Sequence, residues 1–349
     1  MTDMFCWQPP EPRELPTLRE RMAAQMRSPL EQRMLVDLLT TGQGTLSPNT
    51  GDRGRDAAIM LREEHDRLRG AQLFYVSAEM TRLAQAAARS LTAASTHPDD
   101  LPAAAGFMVF AEPFAVYEPD RIPSGEQTEQ CVIVAVSWGP NGALRADQGM
   151  WLTFWSATDY DAETRYVQRQ LGCSEEEATQ MVRRARAPLT WDNEAVCHYG
   201  ATTLGLLSNA TPGRAGWTEE LEAGPSWEQM SGTTAAWTLI VRSAWLLMTQ
   251  DGITDTTDEP MPRQQRRRAE REGYNAAPVR VVHLRHRENS PTAAEPGERA
   301  YHVRWVVRGH WRNQWYPSRG EHRPVWINPH IKGPAGSPLH ETTTVHMLD

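Results

Sequence analysis

Leu73-Phe-Tyr-Val-Ser-Ala-Glu-Met-Thr-Arg-Leu-Ala-Gln-Ala-Ala-Ala-Arg-Ser-Leu91 changes its hydrophobic period in mid-course, and that change decides the fold class. Leu73 to Val76 is a short run of β-forming residues. Ser77 then offers a side-chain oxygen for a helix N-cap, and Met80, Leu83, Ala84, Ala87, Ala88 and Leu91 recur at helical spacing. A strand that feeds an amphipathic helix needs a sheet to pack on. Downstream, Gly106-Phe-Met-Val-Phe110 is stopped by Pro113, and Cys131-Val-Ile-Val-Ala-Val136 reads as a buried strand. Gly139-Pro-Asn-Gly142 has turn chemistry that joins it to Met150-Trp-Leu-Thr-Phe-Trp155 as an antiparallel hairpin with a long connection. The expected fold is α+β, a mixed or antiparallel sheet packed by helices, followed by a small basic α+β module.

The helices flank this centre. Leu15, Leu18, Met22, Met26, Leu30, Met34, Leu35 and Leu38 trace a helical face that Pro29 divides in two. Thr41 to Gly54 reads as a loop and Arg55 to Arg69 as a charged helix. Ser174-Glu-Glu-Glu177 is a capping-box pattern opening a helix to about Ala187, with Arg183, Arg184 and Arg186 at the end that favours cations. Thr233 to Gln250, apolar on most faces and followed by Gly252, is the expected core helix. Asp251 to Pro262, polar and acidic, reads as a linker. The expected division is thus a body over residues 1–250, a linker over 251–262, a basic module over 263–334 and a tail over 335–349.

With 349 residues, 40% of them hydrophobic, the chain can bury a large core, which excludes a disordered protein. The four cysteines, Cys6, Cys131, Cys173 and Cys197, form no CxxC pair, so neither a zinc ribbon nor a dense disulfide framework is indicated. No secretion signal is visible at the start. The longest apolar run, Ala235 to Met248, is interrupted by Arg242 and falls short of the ~20 residues a membrane span requires. A cytoplasmic protein with reduced thiols is expected. Every cation except Lys332 is arginine, which points to a GC-rich coding sequence.

Charge is distributed unevenly. Pro262 to Gly333 holds fourteen arginines and one lysine against six glutamates, a net +9 inside a chain of net −8, which leaves −17 on the remainder. Arg266, Arg267, Arg268 and Arg271 crowd one short helix, and Arg304, Arg308, His310, Arg312, Arg319, Arg323 and Lys332 follow among Trp305, Trp311, Trp315, Tyr316 and Trp326. Guanidinium groups grip phosphates and exposed indoles stack on bases, so this mixture suits single-stranded nucleic acid, RNA above all. The competing reading makes the tryptophans a small core and the arginines its surface.

Other chemistries are weaker. His283, His286, His302, His310, His322 and His330 lack zinc-finger spacing, so no metal and no cofactor is expected. Arg308 and His310, helped by Glu321 or His322, have the side chains of a metal-independent nuclease, which requires them to converge in space. Asp192, Glu194, Cys197 and His198 form a polar cluster, yet a catalytic cysteine and its base usually come from separate elements. Asp159, Asp161 and Glu175 to Glu177 read as solvated loop and helix-start residues.

Two stretches carry a resemblance. Phe74 to Ala88, with Asp100-Leu-Pro102 and Gly106 to Phe110, resembles the N-terminal part of a family of accessory proteins, without assigned activity, carried by actinobacteria, their phages and plasmids. Val307-Arg-Gly-His-Trp-Arg-Asn-Gln-Trp-Tyr-Pro-Ser318, with Arg323-Pro-Val-Trp-Ile-Asn-Pro-His-Ile-Lys-Gly-Pro334, is similar to that family's characteristic end. In layout the chain also faintly resembles anti-CRISPR proteins that suppress production of the type V nuclease, which implies a binder of ribonucleoprotein. The expectation is an accessory protein that binds RNA or a ribonucleoprotein through its basic module. The alternatives are an inhibitor or adaptor acting on a host protein and, third, a nuclease.

Overall fold

Pro29 divides the first helical run by opening its second half: α1 spans Leu15–Gln25 and α2 Pro29–Thr41. A proline costs nothing at a helix start, where the N–H has no intrahelical acceptor. The computed structural model describes residues 7–41, 48–91, 96–117, 131–140, 149–200, 206–208, 232–285 and 305–332. Arg304, His286, His302 and, of the expected turn, Asn141 and Gly142 lie outside them. After α3 (Arg53–Gly70) the chain enters β1 (Gln72–Val76), and the Ser77 hydroxyl accepts the Met80 N–H to start α4 (Ala78–Ala88). The short turn Pro98–Asp100 leads to β2 (Gly106–Phe110), β3 (Ala115–Tyr117), β4 (Cys131–Gly139) and β5 (Gly149–Ala157).

Two helices then cross the surface, α5 (Tyr160–Leu171) and α6 (Glu175–Ala185), the second opened by the Ser174 and Glu177 capping box. Strands β6 (Leu189–His198) and β7 (Leu206–Ser208) return to the sheet. Next come α7 (Thr234–Met248), β8 (Thr254–Glu259), α8 (Arg263–Glu272) and β9 (Val279–Leu284).

Among the described residues one sheet runs in the order β7-β6-β5-β4-β2-β1-β9-β8, with β3 also against β4. It is mixed. β1 is parallel to β2 and to β9, and the other pairs are antiparallel, the expected β4–β5 hairpin among them. The fold is therefore α+β. The stretch expected as a linker, Asp251–Pro262, contains β8, and β9 pairs with β1, so hydrogen bonds of a single sheet cross the expected boundary. β8 reads as a linker because it is an edge strand with five of its six residues exposed, and an edge that faces water is made of Thr, Asp and Glu.

The sheet is covered on both faces. Phe74, Met108, Val136, Leu152 and Phe154 meet α4 and α7, while Leu73, Phe107, Val109, Trp151 and Trp155 meet α1, α2 and α3. Burial on both faces explains the near-continuous apolar runs of β4 and β5. α7 is the core helix: Thr234 through Leu247 are all buried, and the Thr233 hydroxyl caps its start by accepting the Ala236 N–H.

Candidate nucleic-acid interface

Outside the main sheet, residues 305–332 form a two-stranded ribbon. β10 (Trp305–Val307) pairs with β13 (His330–Lys332), and β11 (His310–Tyr316) with β12 (Glu321–Ile327), all antiparallel. Between the two halves stands Gly309, where a Cβ would come within 2.4 Å of the Trp326 ring. At the far end the chain turns through Pro317–Gly320, and Gly320 takes the left-handed conformation at φ +66° that favours glycine.

Distance along the ribbon from the body sorts its tryptophans. Trp311 and Trp326 face each other in register, are 6% and 5% exposed, and meet edge to face at 5.2 Å. Each is also held by a polar bond to the end of a helix. The Trp311 indole N–H donates to the carbonyl of Ala87 near the end of α4 (2.9 Å). The Trp326 backbone N–H donates to Gln250 Oε1 (2.7 Å), and Gln250 Nε2 donates to the Leu246 carbonyl of α7. The Ala87 carbonyl also accepts the Ser90 N–H and the Leu246 carbonyl the Thr249 hydroxyl, so the ribbon adds a further donor at the ends of α4 and α7, where carbonyls lack the next helical N–H. These two rings are core, as the competing sequence reading held.

Trp315 differs. Two steps further along the same face it is 45% exposed, with its ring 4.9 Å from that of His322, and Tyr316 beside it is 36% exposed. Arg308, His310, Arg312 and Lys332 are exposed on the same ribbon, and Arg312 and Lys332 make no ion pair among the described residues.

The other arginines are divided. Arg323 is bound by Asp100, and Arg319 Nη1 lies 3.0 Å from Asp99 Oδ2, both carboxylates belonging to the Pro98–Asp100 turn. His97 Nε2 sits 3.1 Å from Glu321 Oε2. Asp100 also accepts the His97 backbone N–H and lies beside Arg242, whose guanidinium burial holds below its ordinary value, against the opposing pull of Cys197 and Asp100.

Arg266, Arg267, Arg268 and Arg271 are exposed on α8, but α8 sits on the face of α1: Gln265 bonds to Thr17 and Arg268 lies 3.4 Å from Glu20. Arg266 and Arg268 also pair with Glu270 and Glu272 along the helix. The sheet therefore separates the α8 arginines from the ribbon, and the two sets do not make a continuous patch.

The remaining candidates do not assemble. His310 and His322 stand five register positions apart, ~17 Å along a strand, so the side chains required of a nuclease do not converge. No group of three metal-ligating side chains occurs among the described residues. Glu194 is buried and accepts the Trp191 indole N–H, and burial pushes the Cys197 thiol up, away from nucleophilic use. Arg186 has left the helix-end cluster: it is buried, bound to Glu31 and 2.8 Å from Glu163. No helix among the described residues is long and apolar enough to cross a membrane.

Sequence reasoning missed Asp99, Asp100 and Gln250. Their partners are more than seventy residues away, and the only local signal was the turn-forming His97-Pro-Asp-Asp pattern.

The molecule thus belongs to the α+β proteins with a mixed, doubly covered sheet, and carries a separate basic ribbon. No protein-family model and no curated protein matches the chain. The crystal structure of AcrVA2 is similar at 11% identity with a TM-score of 0.33, over 91% of this chain and 93% of that one. At that score the likeness says nothing about function.

Proposed function

We propose that this protein binds single-stranded RNA, free or within a ribonucleoprotein, along the ribbon of residues 305–332. One observation carries the reading: an exposed Trp315 ring backed by His322, on a strand that also carries Arg312, three residues earlier, exposed and without an ion pair among the described residues. An indole open to solvent stacks on a base for roughly 1 to 3 kcal/mol, and a guanidinium elsewhere on the same ribbon neutralises a phosphate of the same strand. Arg308 and Lys332 extend the cationic track toward the other end of the ribbon, and His310 adds an exposed hydrogen-bonding ring. The footprint is smaller than the sequence suggested, because Trp311 and Trp326 anchor the ribbon and the α8 arginines lie across the sheet.

The test is electrophoretic mobility of a single-stranded RNA with the native chain, Arg312→Ala, Trp315→Ala and the α8 double variant Arg267→Ala/Arg271→Ala. The first two weaken binding and the α8 variant leaves it nearly unchanged. Binding indifferent to Arg312 and Trp315, or to added salt, removes the proposal.

A second reading, an inhibitor or adaptor that binds a host protein, is favoured by the pairing of Arg319 and Arg323 with carboxylates and by the burial of Trp311 and Trp326. A partner captured as well after nuclease treatment as before it supports this second reading.

A further inference from the structure

We propose that the Pro98–Asp100 turn is a built-in competitor for the polyanion, in which Asp99 occupies Arg319 and yields it to a phosphate on binding. This rests on the ribbon reading above. Two neighbouring carboxylates take two arginines of the ribbon, yet the pairs differ in kind.

Asp100 is 3% exposed in its side chain and Arg323 16%. Asp100 also holds the His97 N–H and faces the buried guanidinium of Arg242. Losing that carboxylate would leave the largely buried Arg323 without its anion, so this pair fixes the ribbon to the body and does not exchange. Arg319 and Asp99 are open, with side chains 47% and 66% exposed and a single N···O contact of 3.0 Å. An exposed pair of this kind contributes little and re-forms freely with any other anion. A phosphate offers the same acceptor oxygens to the same fork.

Arg319 lies in the turn that follows Tyr316, next to Trp315. A strand of RNA that stacks on Trp315 brings a phosphate toward Arg319, four residues on in the turn, where Asp99 is the resident anion. The carboxylate lowers affinity by the work of displacing it, and it screens the tip against weakly bound anions. Polyanion binding then frees the Asp99 carboxylate while leaving the Asp100 anchor in place.

The experiment measures anisotropy of a fluorescein-labelled oligouridine at several salt concentrations with the full chain, Asp99→Asn, Arg319→Ala and the double variant. Asp251→Asn serves as control, since Asp251 is exposed, follows the ribbon-anchoring Gln250, and pairs with neither Arg319 nor Arg323, which are held by Asp99 and Asp100. Asp99→Asn is expected to bind about two- to five-fold tighter, with a salt dependence steeper by about one phosphate contact. The gain is absent in the Arg319→Ala background, and Asp251→Asn produces less of it.

Equal tightening by Asp99→Asn with and without Arg319 means a general field effect and overturns the competitor. Binding by the native chain that Asp99→Asn leaves unchanged also overturns it, with the ribbon reading intact. No binding by any of the proteins overturns both together.

Discussion

Replacing Trp311 with alanine separates anchoring from recognition. The ring is 6% exposed, packs edge to face on Trp326, and donates its N–H to Ala87. Truncating a buried tryptophan costs about 3 to 5 kcal/mol from lost transfer energy and the cavity left behind. The edge-to-face contact accounts for roughly 0.5 to 1.5 kcal/mol beyond area. The ribbon is a two-stranded element outside the main sheet, and two strands alone are marginal in water. A loss of this size therefore undocks the ribbon locally and leaves the sheet folded. Hydrogen exchange reads this directly: amides of 310–327 lose protection by a factor of at least about a hundred, while those of β1 and β4 keep theirs. Trp315→Ala, on a ring 45% exposed, changes protection by less than about five-fold. Equal loss of protection in the two variants, or none in Trp311→Ala, refutes the reasoning.

Gly309→Ala places a methyl 2.4 Å from the Trp326 ring and is expected to destabilise the ribbon by about 1 to 3 kcal/mol, read from the same amides. Glu64→Ala removes a fully buried carboxylate that accepts bonds from Arg67, Ser137 and Thr153, which leaves the buried Arg67 cation only the more exposed Glu63, 3.7 Å away, and the Pro140 carbonyl. A loss of about 3 to 5 kcal/mol in urea denaturation is expected, and a loss below about 1 kcal/mol contradicts the network. Tyr166, pushed up to about 12 by burial and by Asp37, keeps its proton in the folded state above the ordinary value of 10. The folded chain then binds more protons than the unfolded one, so this contribution is intact below pH 10 and is lost as pH rises from 10 towards 12. Tyr166→Phe loses less stability over that interval in denaturation curves.

Local structure was legible where a cap or a period marks it. Ser77, Ser174 and Thr233 each start the helix expected of them, and the two strands of the β4–β5 hairpin pair as their composition indicates. Long-range pairing was not legible. Nothing in Val279–Leu284 indicates that it lies parallel to β1, more than two hundred residues earlier, and β8 has the composition of a linker because its side chains face water. The site was half legible. Arginine and tryptophan marked the ribbon, but which ring is buried depends on where α4 and α7 end, and which cation is compensated depends on Asp99 and Asp100 in a distant turn. A one-dimensional count of charge also joined α8 to the ribbon, although the sheet stands between them.

Ultraviolet crosslinking of the full chain to a single-stranded RNA, followed by mass spectrometry of the adducts, bears most directly on the ribbon as the binding surface. Adducts are expected to concentrate on peptides from 305–332, led by Trp315 and Tyr316, and to be lost in Arg312→Ala. Adducts that fall on α8 or on the acidic face of β8 instead, with the ribbon unmarked, would contradict it.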